Sequence, residues 1–252
     1  MTLVVVLADP PREGLVLPRL AEETPLSAED AADCYRAMLA DTLFAAAESG
    51  GELLVNYRDE DLLPDEFSKA DGEAEAEVRA VAADALGSAD ETRFEVQVGS
   101  TYDGRVGNTV THLLDREDHA SVLVLDGTAP LAGRKDIDNA SMKLRRSDVV
   151  LGPASDGRVW GSAFCEPIDF DGAFASPVVE TLTARARDAD LEVDFLPNYE
   201  TVETGDDLCS VVSILRARRR AGRIVPPHTT EFIEDRGLTV VADDGDLELV
   251  RE

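Results

Sequence analysis

Residues 2–8 read Thr-Leu-Val-Val-Val-Leu-Ala and are stopped by Asp9-Pro10-Pro11. An unbroken aliphatic, β-branched run of this length, ended by turn residues, is the pattern of a strand buried on both faces, and such strands belong in the middle of a parallel sheet. Just downstream, Ser27 opens an S-x-x-D capping box with Asp30. Cys34, Tyr35, Met38, Leu39, Thr42, Leu43 and Ala46 then recur at helical spacing as far as Gly50-Gly51, which predicts a long amphipathic helix. A strand at 52–57, an acidic Ala-rich helix at 72–86 and a strand at 93–98 follow.

The same alternation continues through a helix at 105–114, a strand at 121–125, a helix at 136–145 and a strand at 148–151. Beyond lie a strand at 159–164, a helix at 177–189, a strand at 191–195 and a helix at 206–220. Repeated β-α-β units with right-handed crossovers predict an α/β fold of three layers, a mostly parallel sheet with helices on both faces. Residues 237–250 read as a β-hairpin turning at Asp243-Asp244-Gly245. With no linker-like stretch or repeat, the expectation is one domain over 1–222 and a C-terminal appendage over 223–252 packed on it.

The 252 residues, 44% of them apolar, suffice for a sizeable core. The charge is lopsided: 52 Asp and Glu face 24 basic residues, for a net charge of −28. That balance argues against nucleic-acid binding through a basic surface. Of the basic residues 21 are Arg and three are Lys, and Asp outnumbers Glu by 29 to 23, a pattern expected of a halophilic protein. In molar salt the Debye length is about 3 Å, so self-repulsion is screened while the carboxylates keep the surface hydrated. Cys34, Cys165 and Cys209 form no C-x-x-C pair, and His112, His119 and His228 have no metal-ligand spacing, so a reduced, cytoplasmic protein without a zinc motif is expected. The apolar run at 3–8 falls far short of the ~20 residues that span a bilayer, and no membrane span or signal peptide is expected.

In an open α/β sheet ligands bind beyond the carboxyl ends of the strands. Three post-strand loops carry suitable residues: Ala8 to Leu20, with Gly14 and arginines able to meet a phosphate; Asp126-Gly127-Thr128-Ala129-Pro130; and Gly152-Pro153-Ala154-Ser155-Asp156-Gly157-Arg158. Neither G-x-G-x-x-G nor a P-loop is present.

Taken together, these loops resemble the nucleotide-diphospho-sugar transferase superfamily of GT-A fold, and within it the radical-SAM-associated glycosyltransferase-like family. The most specific piece is Asp148-Val-Val-Leu-Gly-Pro-Ala-Ser-Asp-Gly157, against a typical D-V-V-L-G-P-A-x-D-G-G. Ala31 to Thr42 matches the first helix, Gln97-x-Gly99 through Arg105 the middle loop, and Val202-Glu-Thr-Gly-Asp-Asp-Leu208 resembles D-V-D-T-x-x-D-L. The likeness extends to about Arg220. It implies metal-assisted glycosyl or nucleotidyl transfer from a nucleotide or nucleotide-sugar donor, with Mg²⁺ or Mn²⁺ as cofactor. On this resemblance Asp126 and Asp156 are the catalytic and metal-holding carboxylates, and Ala8, Arg19, Arg105, Thr128, Gly152, Pro153 and Gly157 line the nucleotide and phosphates.

The departures fall on the same loops. Where the family carries a Lys after the first strand and then G-R-x-K-T-R-L, this chain has Asp9 and Gly14-Leu-Val-Leu-Pro-Arg19-Leu20, leaving Arg19 as the phosphate partner. The family's G-S-D-x-P-x-L is here Asp126-Gly-Thr128-Ala-Pro130-Leu131, so Thr128 stands where a metal-holding Asp would, with Asp126 two residues earlier. Arg158 replaces a glycine that would leave room for a ligand. These changes motivate an alternative, a catalytically degenerate homologue acting as a binding or scaffold protein. Other conspicuous residues have structural readings: Asp136-Ile-Asp138 as helix-start acids, Arg216 to Arg220 as helix-end cations, and Trp160 as a packing residue.

Overall fold

The computed structural model describes residues 2–243 and 246–251. The chain runs β1 (Thr2–Ala8), α1 (Pro18–Glu23), α2 (Ala28–Ala47), β2 (Glu52–Tyr57), α3 (Ala74–Leu86), β3 (Arg93–Val96), α4 (Tyr102–Asp115), β4 (Ser121–Asp126) and α5 (Arg134–Lys143). It continues with β5 (Val149–Pro153), β6 (Val159–Phe164), α6 (Val178–Asp188), β7 (Val193–Phe195), α7 (Gly205–Arg220), α8 (Pro227–Asp235), β8 (Leu238–Asp243) and β9 (Asp246–Arg251). Among the described residues seven strands form one sheet in the order β3-β2-β1-β4-β6-β5-β7. All neighbours are parallel except β6, which runs antiparallel to both β4 and β5. The α/β class and the mostly parallel sheet are therefore as the sequence predicts.

β1 shows why. Its side chains alternate between faces, so Val4, Val6 and Ala8 join one apolar core while Leu3, Val5 and Leu7 join the other. Each fully buried Val or Leu is worth on the order of 1.5–3 kcal/mol, and residues 3–8 are all buried. The first core is closed by α1, α2, α3, α5, α7 and α8 together with Leu238 and Leu249 of the hairpin. The second is closed by α4 and α6 with Ile168, Phe170 and Ala173. Hence two helices cover one face and the larger set covers the other.

Local chemistry sets the ends of the elements. Ser27 Oγ accepts the Asp30 amide and Asp30 returns the bond to the Ser27 amide, so the predicted capping box starts α2. α4 begins three residues before the expected position because Thr101 Oγ1 caps the Gly104 amide. β3 stops at Val96, two residues short of the expectation, because the chain turns away at Gly99.

Two helices escaped the sequence reading. Both α1 and α8 open on a proline in their first turn, Pro18 and Pro227, a position where the missing amide costs nothing. α8 is capped from afar: the buried Asp41 carboxylate of α2 accepts the His228 and Thr229 amides at 3.0 and 2.7 Å. The hairpin forms between β8 and β9, while Asp244 and Gly245 of its expected turn lie outside the described residues. Among the described residues no helix is long and apolar enough to cross a membrane, and all three cysteines are free thiols.

Candidate functional site

β1 and β4 are hydrogen-bonded neighbours with Leu7 opposite Asp126, so both strands deliver their next residues to the same edge of the sheet. Asp9 follows β1 and Asp126 ends β4. Asp9 keeps 31% of its side chain accessible, yet enough protein surrounds it for lost hydration to raise its pKa, against the pull of Arg58 and Arg105. The group is thus enclosed by protein while still reached by solvent. Asp126 is the same case: desolvation pushes its carboxyl up to about 6, the Thr128 amide bonded to Oδ1 at 3.1 Å works against this, and the negative charges of Glu203 and Asp9 add to it. Two tyrosines stand beside these carboxylates. The Tyr35 hydroxyl accepts the Asp9 amide at 2.9 Å, and desolvation holds its pKa well above the ordinary value. Tyr102, on the first turn of α4, is likewise resistant to ionisation, by desolvation and then by the charge of Asp126.

Five arginines surround this edge, and four of them are committed to carboxylates. Arg12, read from sequence as able to meet a phosphate, is instead buried, with Nη2 on Glu60 at 2.6 Å, Nε on Glu77 at 2.9 Å and Nη1 on the Phe67 carbonyl. Arg19 is 58% exposed and pairs with Glu23 at 2.6 Å, whose other oxygen accepts the Gly205 amide at the start of α7. Arg58 faces Asp9 at 3.6 Å. Arg158 donates Nη2 to Asp207 Oδ1 at 2.6 Å and Nη1 to Oδ2 at 3.0 Å, and also reaches the Thr201 carbonyl. Its bulk therefore turns into the protein and not into ligand space, which corrects the expectation that it blocks the third loop. Burial alone would raise the Asp207 carboxyl, but Arg158 and the backbone amides of Glu203 and Thr204 outweigh it and the pKa falls.

Arg105 is the exception. It is half-buried on α4, and its Nε donates to the Gln97 amide oxygen at 2.7 Å. Burial, with Arg58 nearby, lowers its pKa, whereas pairing raises those of Arg12 and Arg158.

The remaining residues named from sequence are placed as follows. Ala8 is buried and its carbonyl accepts the Arg58 amide at 2.9 Å. Thr128 caps Asp126 through its amide, and its carbonyl holds the Val202 amide at 2.9 Å, which brings the 199–204 segment over the site. Gly152 lies beneath Trp160, where an added Cβ would fall 2.3 Å from the indole, and Trp160 donates to the Pro197 carbonyl, a packing role. The Pro153 carbonyl accepts the Tyr199 amide at 3.1 Å. Gly157 packs on Pro177. Asp156 has a left-handed φ of 57°, is 83% exposed and faces Arg158 at 3.6 Å. Arg158 also stands 3.5 Å from Glu203, whose charge acts on Asp126. Asp156 instead shares a groove with Arg19 and the first turn of α7. Asp136 and Asp138 are structural, capping the Gly133 amide and holding the Gly50 amide.

The sequence reading took Asp9 as a loss and Tyr35 as core, named Gln97 and Glu203 only as motif positions, and did not name Tyr102. Asp9 and Tyr35 had a usable signal, the post-strand position and a tyrosine on the inner face of the first helix. The site's oxygen donors suit a hard cation such as Mg²⁺ or Mn²⁺. Among the described residues no three His, Cys, Asp or Glu side chains stand close enough to hold an ion by themselves.

The architecture is that of the nucleotide-diphospho-sugar transferase fold. A provisionally assigned nucleotide-diphospho-sugar transferase from Desulfovibrio desulfuricans G20 superposes with a TM-score of 0.76 at 22% identity, covering 94% of this chain and 96% of that one. More distantly similar are the 4-diphosphocytidyl-2C-methyl-D-erythritol synthase of Anaerococcus prevotii (TM-score 0.49, 14% identity, 85% and 96% covered) and a cytidylyltransferase of Leptospira borgpetersenii (0.49, 12%, 93% and 94%). No family model matches the chain, and no curated protein is detectably similar to it in sequence.

Proposed function

We propose that the cleft at the carboxyl ends of β1 and β4 binds a nucleotide-activated donor with a divalent cation and transfers its glycosyl or nucleotidyl group. The observation that carries this reading is Asp126: a desolvated carboxylate at the end of β4, raised to about 6, with no ion-pair partner among the described residues and with Asp9 and Glu203 adding negative charge. Such a group gains most from a cation. Mg²⁺ commonly takes one or two carboxylates and completes its shell with substrate phosphates and water, which fits a site that lacks a three-ligand cluster. When bound, the ion would neutralise charge developing on the leaving phosphate. Asp126 would hold it, Asp156 would join from the rim, and Arg105 would take a phosphate oxygen.

The same reading makes the chain a divergent relative of the radical-SAM-associated glycosyltransferase-like proteins, adapted to high salt and working in a reducing, cytoplasmic setting. It is supported by the order of the four motifs, the surplus of carboxylates and the three free thiols.

The test is a thermal-shift and titration panel of nucleoside triphosphates and nucleotide-sugars, with and without Mn²⁺, in molar KCl. A folded-state ligand raises the melting temperature in proportion to its saturation. The expected result is a shift that needs both one base and the metal, and that disappears in Asp126→Ala.

A second reading, a degenerate homologue serving as a scaffold, is favoured by Asp9 and by the burial of Arg12, which remove cations from the first loop. Stabilisation by no nucleotide at any metal concentration would favour it; metal-dependent binding lost in Asp126→Ala would end it.

A further inference from the structure

The residue that prepares Arg105 is Gln97, and its chemistry is informative. In a chain with 52 acidic residues, arginines near the site are met by carboxylates, as Arg12, Arg19, Arg58 and Arg158 are. Arg105 instead makes its hydrogen bond to a neutral amide, and the Asp9 charge reaches it without an ion pair. Gln97 is 4% exposed and bonded at both ends of its amide: Oε1 accepts Arg105 Nε at 2.7 Å, and Nε2 donates to the Asn56 carbonyl at 2.8 Å. Asn56 is fixed in turn, with Oδ1 on the Thr109 hydroxyl at 2.9 Å and Nδ2 on the Glu95 carbonyl at 3.2 Å. This buried network has every amide group bonded, so it is rigid, and it anchors the guanidinium by one nitrogen.

The loop between the two residues is built to close this contact. Gly99 has a φ of 135°, and a Cβ there would lie 2.9 Å from the Arg105 amide nitrogen and from the Gly104 carbonyl carbon. No other residue type fits that turn without displacing the start of α4.

We infer that Gln97 is a positioning residue: its neutral amide holds Arg105 in place without neutralising it, leaving the two terminal guanidinium nitrogens for the oxygens of a phosphate-bearing ligand. A carboxylate at the same position would hold the arginine as firmly and cancel the charge that makes it useful. This rests on the donor reading only in naming the phosphate as part of a nucleotide; the anion contact itself is separable.

The experiment compares two variants that both lose the donor bond to Asn56. Gln97→Met is neutral and of similar volume; Gln97→Glu restores an acceptor for Arg105 but adds a charge. In molar KCl the readouts are melting temperature, inorganic pyrophosphate affinity, and the rate of phenylglyoxal modification at Arg105, located by peptide mass mapping. In the wild-type protein Arg105 should react and pyrophosphate should slow it. Gln97→Met should keep Arg105 reactive and weaken pyrophosphate several-fold, whereas Gln97→Glu should suppress the reaction and weaken pyrophosphate by roughly tenfold or more, since charge-assisted contacts are the strong ones.

Equal affinities in the two variants, with losses that track melting temperature, would reduce Gln97 to a structural residue and overturn the inference, as would an Arg105 that pyrophosphate does not protect. Protection by pyrophosphate without binding of any nucleotide would leave the inference standing and remove the donor reading.

Discussion

Two acidic regions on either side of the first loop have opposite electrostatics. Below the loop, Glu60 and Glu77 converge on Arg12, and the Glu60 carboxyl is pulled down to about 2 by its bonds with that guanidinium. At the strand ends, Asp9, Asp126 and Glu203 converge; Arg58 and Arg105 act on Asp9 and Arg158 stands 3.5 Å from Glu203, while Asp126 has no ion-pair partner among the described residues and burial drives it up to about 6. A pKa displaced downward marks a carboxylate whose partner is already part of the fold. One displaced upward by burial, as at Asp126 and at the helix-capping Asp41, carries a desolvation cost that its partners do not fully offset. Within these two regions the difference is whether an arginine of the fold already meets the charge.

Removing salt gives the largest expected effect, because it acts on both regions and on the whole surface. With 28 excess negative charges, transfer from molar KCl to dilute buffer should unfold or loosen the protein as the Debye length grows to tens of ångströms. Circular dichroism unchanged across that range would contradict the high-salt reading. Divalent cation at millimolar concentration should protect part of the structure in dilute buffer if the cleft is the place where repulsion is least compensated.

Next in size is the paired region. Arg12→Ala leaves Glu60 with the Lys69 and Ala74 amides but no cation, leaves Glu77 with Lys69 alone, and deprives the Phe67 carbonyl of its donor. The pair lies close beneath the surface, so the range for deeply buried pairs is discounted to a loss of about 2–4 kcal/mol in chemical denaturation. The wild-type contribution of Glu60 has a defined pH window. Its folded pKa is below the unfolded value, so the stabilisation is complete above about 4.5 and fades as pH falls toward 2. A variant as stable as wild type at pH 7 would mean that the two regions do not differ as described.

Asp126→Asn should move the other way. Because the folded pKa is raised, the native state holds the proton more tightly, and stability declines as pH rises from about 4 through about 6. The asparagine removes that decline and should stabilise the ligand-free protein at pH 7 by about 1–3 kcal/mol while abolishing metal-dependent ligand binding. Urea midpoints at pH 5 and pH 7 measure the first effect and titration the second. Loss of stability at both pH values would show that the Asp126 charge is already satisfied.

The sheet could be read from sequence because β1 is buried on both faces and therefore apolar throughout, and because each helix carries its own start and stop chemistry. Asp126 was legible for a related reason, since a strand end is a local feature and the carboxyl-edge rule turns it into a place. What was not legible depends on residues far apart in sequence. Arg158 meets Asp207 49 positions later, and α8 is capped by Asp41 from 187 positions away. No local pattern announces that Arg12 turns inward to Glu60 rather than outward to a ligand. The same holds for Gln97 and Arg105, which become partners only because Gly99 folds the chain back between them.

The smallest expected effect on stability concerns Asp156, and it divides the two carboxylates assigned to the cation. Asp156 is 83% exposed and sits at a φ of 57°, a left-handed conformation that asparagine and aspartate tolerate better than other non-glycine residues. Asp156→Asn therefore keeps the backbone while removing the charge, which Asp156→Ala would not do. Melting temperature should change by less than about 0.5 kcal/mol equivalent, as for other surface substitutions. If Asp156 reaches the cation from the rim, metal-dependent binding should weaken several-fold against near-complete loss in Asp126→Asn; unchanged binding would leave Asp126 and the donor phosphates as the whole of the metal site.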